Sequence, residues 1–275
     1  MTIQSAIYLT GNKRRLFEDI KPHLKGKKIL IDLFSGSGTV AINAVNEGMF
    51  ERVIANEGNK HLYDLNVALQ SKYFLDMVAF SKDCYGETKD EYLRLREDYN
   101  NSHRLDLLLN LNYRSNSNML RWNKSGGFNM PFGERECYNE TRLEKHHEVC
   151  KGIEFHNKDF IDFIYDIKSE VLFTDCVVYL DPPYQSSCAV YNEAGGWCDT
   201  QDKALLDMME YLQAKGAKVV MSNIFTNRGK ENTWLIGWCE RNNTLFDVHH
   251  LKISYGNSSF RKSKEKTDEV LIVSK

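Results

Sequence analysis

The feature that most restricts how this chain can fold is a glycine-rich turn between a predicted strand and a predicted helix. The apolar run 28–34 is rich in β-branched residues and ends in Ser35-Gly36-Ser37-Gly38, and helix-favouring residues follow at 39–45. This order predicts a buried strand, a tight turn and a helix. A second short apolar run, 52–56, stands where the return strand of a right-handed βαβ unit belongs. The opening of the chain therefore predicts an α/β fold.

The same turn predicts a nucleotide-type pocket, because backbone without Cβ atoms can approach a ligand closely. Glu57, at the end of the second strand, is placed to accept both ribose hydroxyl protons. In the dinucleotide-binding motif G-x-G-x-x-G, Ala41 takes the place of the third glycine. Alanine is tolerated there, so the turn alone does not exclude a nicotinamide dinucleotide as the cofactor. Asp32 at the first strand end favours S-adenosylmethionine instead, since its charge opposes a pyrophosphate but suits an ammonium and a sulfonium. The turn residues expected at this cofactor are Ser35, Gly36, Ser37, Gly38 and Thr39.

The rest of the chain predicts a helical insertion between two parts of one sheet domain. From about 60 to 148 the sequence favours amphipathic helices, at 61–78, 89–99, 105–111 and 141–150. Alternation of strands and helices then returns, with strands at 152–155, 176–180 and 217–221 and helices at 201–215 and 231–241. Two last strands, 245–253 and 268–274, suggest an antiparallel pair at the sheet edge. We expect a discontinuous catalytic domain, 1–59 with 149–275, and an inserted domain, 60–148.

Composition narrows the class of protein. The chain has 275 residues with a net charge of −2, and it contains no apolar run near the roughly 18 residues that cross a bilayer. Its seven cysteines form no C-x-x-C pair, which fits a reducing cytoplasm better than a disulfide framework. The adjacent His146 and His147 lack partners at ligand spacing, so no metal is expected. The segment 107–133 has three cations and no acid, and this local basic stripe points to a nucleic acid.

A second motif, Asp181-Pro182-Pro183-Tyr184, follows the apolar strand at 176–180. The prolines end the strand and withhold two amide donors, so this strand end offers acceptors. An exocyclic amino group could give one N–H to the Asp181 carboxylate and one to the Pro182 carbonyl, which aims its nitrogen lone pair at a methyl donor. Tyr184 would stack on the base. A plain turn is the alternative, but the place outside a parallel strand's carboxyl end is where α/β sheets bind ligands.

Together these motifs resemble the Dam-type adenine-N6 DNA methyltransferases, most of all those of T-even bacteriophages, and the likeness runs over nearly the whole chain. The order of the cofactor motif, a central recognition segment and D-P-P-Y is similar to the α group of this D12 class. The resemblance implies a class I, Rossmann-like, S-adenosylmethionine-dependent methyltransferase sheet with an inserted, mostly helical target-recognition domain containing a β-hairpin. The matching segments are 8–13, 32–38, 55–57, 93–100, 117–121, 131–133, 181–184, 222–223, 229–232 and 263–270.

Residue roles carried over from the resemblance concern the cofactor first. Tyr8 and Lys13 would close over its methionine end, Asp32 would contact its amino group and Phe34 would lie beside the methyl donor. Glu57 stands where the family usually has Asp. Asp159 and Phe160 match the segment that holds the cofactor adenine. Asp181 is expected to border the cofactor as well as the base.

The basic segment is expected to read double-stranded DNA, because a base inside a duplex must be flipped out before its amino group can react. Arginine can grip guanine with two hydrogen bonds, and flat side chains can stack on bases. The resemblance implies recognition of GATC through Ser117, Met119, Arg121, Pro131, Phe132 and Arg135. Other residues of the segment expected at DNA are Arg114, Asn116, Asn118, Trp122, Asn123 and Lys124. Asn116 replaces an aromatic residue of the phage relatives, which allows a relaxed or altered specificity.

The predicted function is methyl transfer from S-adenosylmethionine to adenine N6 in double-stranded DNA, leaving S-adenosylhomocysteine. Adenine-N6 methylation of RNA and a catalytically silent DNA-binding module are the alternatives, while a protein substrate would need no base-stacking surface. We expect a monomer in solution that is able to pair on DNA, and no membrane association. The setting would be the bacterial cytoplasm, with the gene of phage or prophage origin as one option.

Overall fold

The computed structural model describes residues 2–134, 137–184, 197–227, 229–251 and 267–275. Two compact units divide the chain. The first unit comprises Met1–Arg14, Ser35–Met49 and Val53–Asp159, and the second comprises Arg15–Phe34, Phe50–Arg52 and Phe160–Lys275. The division into 1–59 with 149–275 and an inserted 60–148 stays a prediction. Within the described residues no helix is both long and apolar enough to cross a membrane.

The second unit carries most of the sheet. Its strands are β1 (Ile29–Asp32), β4 (Cys176–Leu180), β5 (Lys218–Asn227), β6 (Lys230–Glu231), β7 (Phe246–His250) and β8 (Asp268–Ser274). They run in the order β1-β4-β5-β8-β7, with β6 paired to β5. The pairs β1–β4 and β4–β5 are parallel, whereas β8 is antiparallel to both β5 and β7. The predicted antiparallel pair is therefore confirmed over its described residues, while 252–253 lie outside them.

The core of the second unit explains these assignments. Every residue of β4 is buried, as expected for a nearly continuous apolar run in the middle of a parallel sheet. Its helices are α1 (Phe17–Ile20), α8 (Phe160–Ile167), α9 (Asp199–Ala214) and α10 (Thr233–Arg241). In α8 the residues Phe160, Phe163, Ile164 and Ile167 are buried, at the spacing of one helix face. The predicted α/β class is confirmed.

The first unit holds the strand β2 (Arg52–Asn56) from Val53 onward, the parallel strand β3 (Ile153–His156) and most of the helices. These helices are α2 (Thr39–Asn46), α3 (Lys60–Ala68), α4 (Lys72–Cys84), α5 (Lys89–Ser102), α6 (Leu105–Arg114) and α7 (Glu140–Cys150). The prediction of one helix over 61–78 is wrong, since α3 and α4 are separate. The break is held by tertiary bonds: His147 Nδ1 lies 2.8 Å from the Leu69 carbonyl, and Gln70 Nε2 donates to the carbonyls of Cys150 and Ile153.

Between α6 and α7 the chain makes two antiparallel arms around a turn, in the region where the family resemblance implies a β-hairpin. Isolated bridges join Ser115 to Phe132 and Trp122 to Phe128. The Asn123 side chain closes the turn by accepting from the amide nitrogens of Ser125 and Gly127. We call residues 115–133 the recognition segment. Its arms are held by scattered bonds rather than by regular strands.

Candidate cofactor and substrate sites

The backbone of the glycine turn after β1 packs closely against side chains of the first unit, and its approach to a ligand stays a prediction. Gly36 and Gly38 have φ angles of +54° and +72°, which favour glycine. A Cβ atom on Gly36 would lie 3.0 Å from Leu9 Cδ2, and one on Gly38 would lie 3.1 Å from Asn66 Oδ1. Gly38 is the N-cap of α2 and begins a helix whose free amides suit a polar ligand. A residue with a side chain at either glycine position would therefore be strained and would crowd its neighbour.

Glu57 follows β2 and is bound to this turn. Its Oε2 accepts from the Gly36 amide at 2.7 Å, and its Oε1 accepts from the Asn59 amide at 2.7 Å. The side chain is buried, and burial raises the pKa of Glu57 to about 7 even though both amide bonds lower it. Each carboxylate oxygen has two lone pairs, so two ribose hydroxyls could still be accepted.

These residues fit an adenosine cofactor. Besides Glu57, the turn carries the buried Ser35 hydroxyl, for which the described residues contain no hydrogen-bond partner. A buried polar atom of this kind needs a partner, and a polar ligand can supply one. Asp32 is buried at the end of β1, in the same chain segment. Donor chemistry and backbone geometry thus agree with the predicted S-adenosylmethionine site, while the individual assignments, including Thr39 at the start of α2, stay predictions.

Three aromatic rings meet beyond the end of β1 in the second unit. The ring centroids of Phe34 and Phe160 are 5.5 Å apart, and each lies 5.6 Å from that of Trp197. The Trp197 indole nitrogen donates to Asp202, at the start of α9. Phe34 and Phe160 are predicted cofactor residues, whereas Trp197 gives no sequence signal because it belongs to no motif. Asp159, just before α8, is exposed.

The D-P-P-Y motif lies where β4 ends. Asp32 on β1 pairs in register with Tyr179 on parallel β4, so Asp181 stands two residues beyond that level. The Asp181 Oδ1 atom accepts from the Tyr184 hydroxyl at 3.0 Å and from the Ser222 hydroxyl at 3.1 Å. Burial and the carboxylates of Asp181 and Glu269 raise the pKa of Tyr184 well above its ordinary value, so this hydroxyl remains a donor. Pro182 is buried and Pro183 is half-buried.

Two predicted cofactor residues near the chain start are engaged inside the first unit. The Tyr8 hydroxyl donates to the Cys137 carbonyl at 3.1 Å, and the Arg142 guanidinium lies 4.4 Å from the centre of the Tyr8 ring. Lys13 is buried, and its Nζ donates to the Gly11 carbonyl at 3.1 Å. Their predicted roles at the methionine end of the cofactor stay predictions.

Most predicted DNA contacts lie at the surface of the recognition segment. Exposed members are Asn116, Ser117, Asn123, Lys124 and Pro131, and half-buried members are Asn118, Met119, Arg121, Trp122 and Phe132. Ser117 and Asn118 have φ angles of +56° and +54°, a strained conformation for residues with a Cβ that is common at ligand sites. Arg135 lies outside the described residues.

Arg114 is buried, unlike the other described residues that are predicted to contact DNA. Its side chain is buried, and its guanidinium donates to the carbonyls of Gly86 and Tyr85, each at 2.9 Å. These bonds join the end of α6 to the loop between α4 and α5. Arg114 thus has a structural role inside its unit, and its contact with DNA stays a prediction.

Ring contacts attach the recognition segment to its own unit. Trp122 stacks on His61 of α3 with ring centroids 4.0 Å apart and an interplanar angle of 7°. Burial lowers the pKa of His61, which favours its neutral ring. Phe132 packs on Tyr92, with centroids 5.4 Å apart. One face of Trp122 is thus occupied by protein.

Asn112, on the buried face of α6, holds the strained part of the segment. Its Oδ1 accepts from the Tyr8 amide at 2.8 Å, and its Nδ2 donates to the carbonyls of Tyr8 at 3.0 Å and Asn118 at 2.7 Å. Sequence reasoning missed it, since an asparagine within a leucine-rich helix gives no sign of its partners. Asn100 of α5, whose side chain is half-buried, makes a comparable pair of bonds with the Phe128 backbone, at 2.7 Å and 3.2 Å.

We expect Asn112→Ala to lower the free energy of unfolding by about 3 kcal/mol, because the Asn112 side chain is fully buried and its three hydrogen bonds to the backbone of Tyr8 and Asn118 are lost. Asn100→Ala should cost about 1 kcal/mol, since water can replace a partly buried amide. Urea unfolding of both variants and the wild type measures the difference. Equal losses in the two variants would contradict the role given to Asn112.

Comparison with known proteins gives the family. Residues 9–247 match the model of the D12 class N6 adenine-specific DNA methyltransferases. The chain belongs to this family. Membership confirms the family that the motifs resemble, and it agrees with the predicted S-adenosylmethionine cofactor.

Curated relatives agree with this membership. The chain is 29% identical to the Type II methyltransferase M.FokI of Planomicrobium okeanokoites over 98% of its own length and 42% of that protein. It is 28% identical to the DNA adenine methylase of Escherichia coli (strain K12) over 96% of its length and 93% of that protein. The chain thus spans about two fifths of the first of these relatives and nearly all of the second.

Solved structures resemble the chain more distantly. An rRNA methyltransferase, AviRa from Streptomyces viridochromogenes, has 14% identity and a TM-score of 0.43, covering 98% of this chain and 88% of that one. A similarity of this size supports no conclusion about the substrate of this family member.

Proposed function

We propose that this D12-class chain methylates the N6 amino group of an adenine flipped out of double-stranded DNA, within GATC or a relaxed version of it. The observation that carries the proposal is the Asp181 carboxylate at the end of β4, on which two hydroxyl groups converge. Both are donors to Asp181, so this carboxylate acts as an acceptor. An acceptor beside a proline without an amide suits an amino group with two N–H donors.

The chain's own residues would hold and orient the reactants. Glu57 would accept the ribose hydroxyls, Asp32 would pair with the amino group of the methionine part, and Phe34 and Phe160 would give apolar surface. When bound, S-adenosylmethionine supplies an electrophilic methyl group on its sulfonium. Asp181 and the Pro182 carbonyl would each accept one N–H of the adenine amino group, and the Tyr184 ring would stack on the base. The remaining proposed contacts are Tyr8, Lys13, Asp159, Pro183 and the turn 35–39.

Arg121 is the proposed reader of guanine. Its Nε donates to Asn129 Oδ1 at 2.8 Å and its Nη2 to the Asn129 carbonyl at 3.3 Å, so one edge of the guanidinium is held by the opposite arm. The edge formed by Nη1 and Nη2 has the geometry that grips O6 and N7 of guanine. Fixing one edge reduces the entropy lost when the other binds a base.

Methylation mapping tests this proposal. Purified protein is incubated with S-adenosylmethionine and unmethylated genomic DNA, and N6-methyladenine is located by sequencing. Methylation confined to GATC is the expected result, and a wider set of sites would point to Asn116 as the source of relaxed specificity. Methylation of RNA alone, or cofactor and DNA binding without transfer, would overturn the proposal in favour of an RNA enzyme or a silent binding module.

Replacement of Arg121 by alanine should relax specificity. The preference for the correct base over a wrong one at the guanine position should fall by about 5- to 150-fold, the value of one bidentate contact. Lys124→Ala is the matched control, since an exposed lysine at the turn would touch phosphate and affect all sequences alike. Ratios of kcat/KM for matched and mismatched duplexes give the measurement. Equal ratios in wild type and Arg121→Ala would remove Arg121 from base recognition.

Oligomeric state and cellular location stand as proposals too. We infer a monomer that is able to pair on DNA, and we place its action in the bacterial cytoplasm because relatives such as the DNA adenine methylase of Escherichia coli (strain K12) are bacterial. Among the described residues, no group of three or more His, Cys, Asp or Glu side chains is placed to hold a metal ion.

A further inference from the structure

A serine on the neighbouring strand stands beside the proposed catalytic carboxylate. β4 and β5 are parallel, and their register pairs Tyr179 with Val220 and Leu180 with Met221. The next step along both strands brings Asp181 level with Ser222. The Ser222 side chain is buried, and its hydroxyl donates to Asp181 Oδ1 at 3.1 Å. Parallel pairing alone therefore places a hydroxyl donor next to the carboxylate.

The direction of each proton in this cluster follows from counting donors. An ionised carboxylate only accepts, so Ser222 and Tyr184 each give their single hydroxyl proton to Asp181. The Ser222 oxygen lies 2.8 Å from the Tyr179 hydroxyl, and Ser222 has no second proton to give. With the Ser222 proton on Asp181, the Tyr179 hydroxyl is the donor to Ser222, and the Ser222 hydroxyl also contacts that of Tyr184. The chain of donors runs from Tyr179 through Ser222 to Asp181.

This series of hydrogen bonds determines the orientation of the Asp181 carboxylate. Two donors that converge on Oδ1 restrict rotation about the Cβ–Cγ bond of Asp181, and this determines the direction of Oδ2. Tyr179 is almost fully buried in β4, so its hydroxyl is fixed by the sheet rather than by solvent. A donor that itself accepts a hydrogen bond is also the stronger donor. Tyr184, outside the strand, is the only one of these hydroxyls that would also touch the base.

We propose that Ser222, supported by Tyr179, is a positioning residue for the methyl transfer, because its hydroxyl sets the Asp181 carboxylate in the plane that accepts the adenine amino group. The inference rests on the proposed function, in which Asp181 accepts an N–H of the base. Ser222 touches neither the base nor the cofactor in this proposal. It acts on the chemical step through Asp181.

Single-turnover methylation tests the proposal. Ser222→Ala should lower the rate constant for transfer by about 10- to 100-fold, the effect of one hydrogen bond to a charged group. The Kd for S-adenosylmethionine and for a GATC duplex should change by less than about threefold. Ser222→Thr, which keeps the hydroxyl, should recover most of the rate. Tyr179→Phe should give a smaller loss than Ser222→Ala, because Ser222 can still donate.

Ser274→Ala is the matched control. This serine is buried on β8, and its Oγ accepts from the Val219 amide of the same β5 strand at 2.9 Å, away from Asp181. It should keep the wild-type transfer rate, although both variants lose a buried hydroxyl from one sheet. If Ser222→Ala transfers methyl as fast as wild type, or if Ser222→Thr is as slow as Ser222→Ala, the positioning role is wrong.

These experiments distinguish a failure of the Ser222 positioning role from a failure of the proposed methyltransferase function. Wild-type protein that transfers no methyl group to DNA would defeat the proposed function and with it this inference. Wild-type transfer with an unaffected Ser222→Ala variant would defeat the positioning role alone. Should Ser222→Ala fail to fold, Tyr179→Phe and Ser222→Thr decide the question, since the first removes only an outer hydroxyl and the second adds one methyl group.

Discussion

Asp181→Ala is expected to lower the rate of methyl transfer by at least about 10³-fold and to change the Kd of S-adenosylmethionine by less than about threefold. The reason is that the carboxylate is proposed to bind the amino group most strongly while its nitrogen attacks, so the lost contact belongs to the transition state. Single-turnover transfer to a GATC duplex and equilibrium binding of the cofactor measure the two effects.

A matched aspartate keeps this result interpretable. Asp207→Ala, at an exposed position of α9, should leave both quantities at their wild-type values. An Asp181→Ala protein with near-normal turnover would exclude the acceptor mechanism. A loss of cofactor binding as large as the loss of rate would instead mean that Asp181 mainly holds the cofactor.

Glu57→Ala should weaken S-adenosylmethionine binding by about 10²-fold or more. Two hydrogen bonds from ribose hydroxyls to a charged acceptor are lost, together worth about 3 kcal/mol. The amides of Gly36 and Asn59, each 2.7 Å from a Glu57 oxygen, also lose their acceptor, so the turn itself loosens. Calorimetric titration gives the Kd, and Glu51→Ala, an exposed carboxylate just before β2, serves as the control.

The pKa of Glu57 gives this contact a pH signature. Burial raises the pKa from its ordinary 4.5 to about 7, so unliganded protein is more stable below this range and loses that contribution as pH rises through 7. Ribose hydroxyls donate to the ionised form, so cofactor binding releases a proton. Affinity should therefore rise by up to about tenfold between pH 6 and pH 8. Glu57→Gln should remove the slope, and a wild-type affinity independent of pH would contradict this role.

Local chemistry explains what the sequence was sufficient to predict. Gly36 and Gly38 indicate a turn because glycine adopts their positive φ angles without steric cost. The D-P-P-Y motif indicates a strand end because proline has no amide hydrogen to continue the hydrogen-bond ladder of the sheet. The sheet strands were readable from short apolar runs, and β4 is buried throughout, as its run predicts. Family membership followed from the same motifs. All of these signals lie within a few residues of the feature they predict.

Tertiary structure decided the features whose partners are distant in the chain. Arg114 has the charge of a DNA contact, and only the folded chain shows that its guanidinium also binds the loop after α4. The break between α3 and α4 depends on His147 and Gln70 bonds to other elements.

The proposed cluster at Asp181 shows the same limit most clearly. Ser222 becomes a neighbour of Asp181 only through the register of β4 and β5. The amino-acid sequence by itself determined the fold class, the family and the two strand-end motifs, because these depend on local backbone preferences and on hydrophobic pattern. Which side chains support those motifs was decided by packing and strand register, because hydrogen bonds form between residues that meet only in the folded chain.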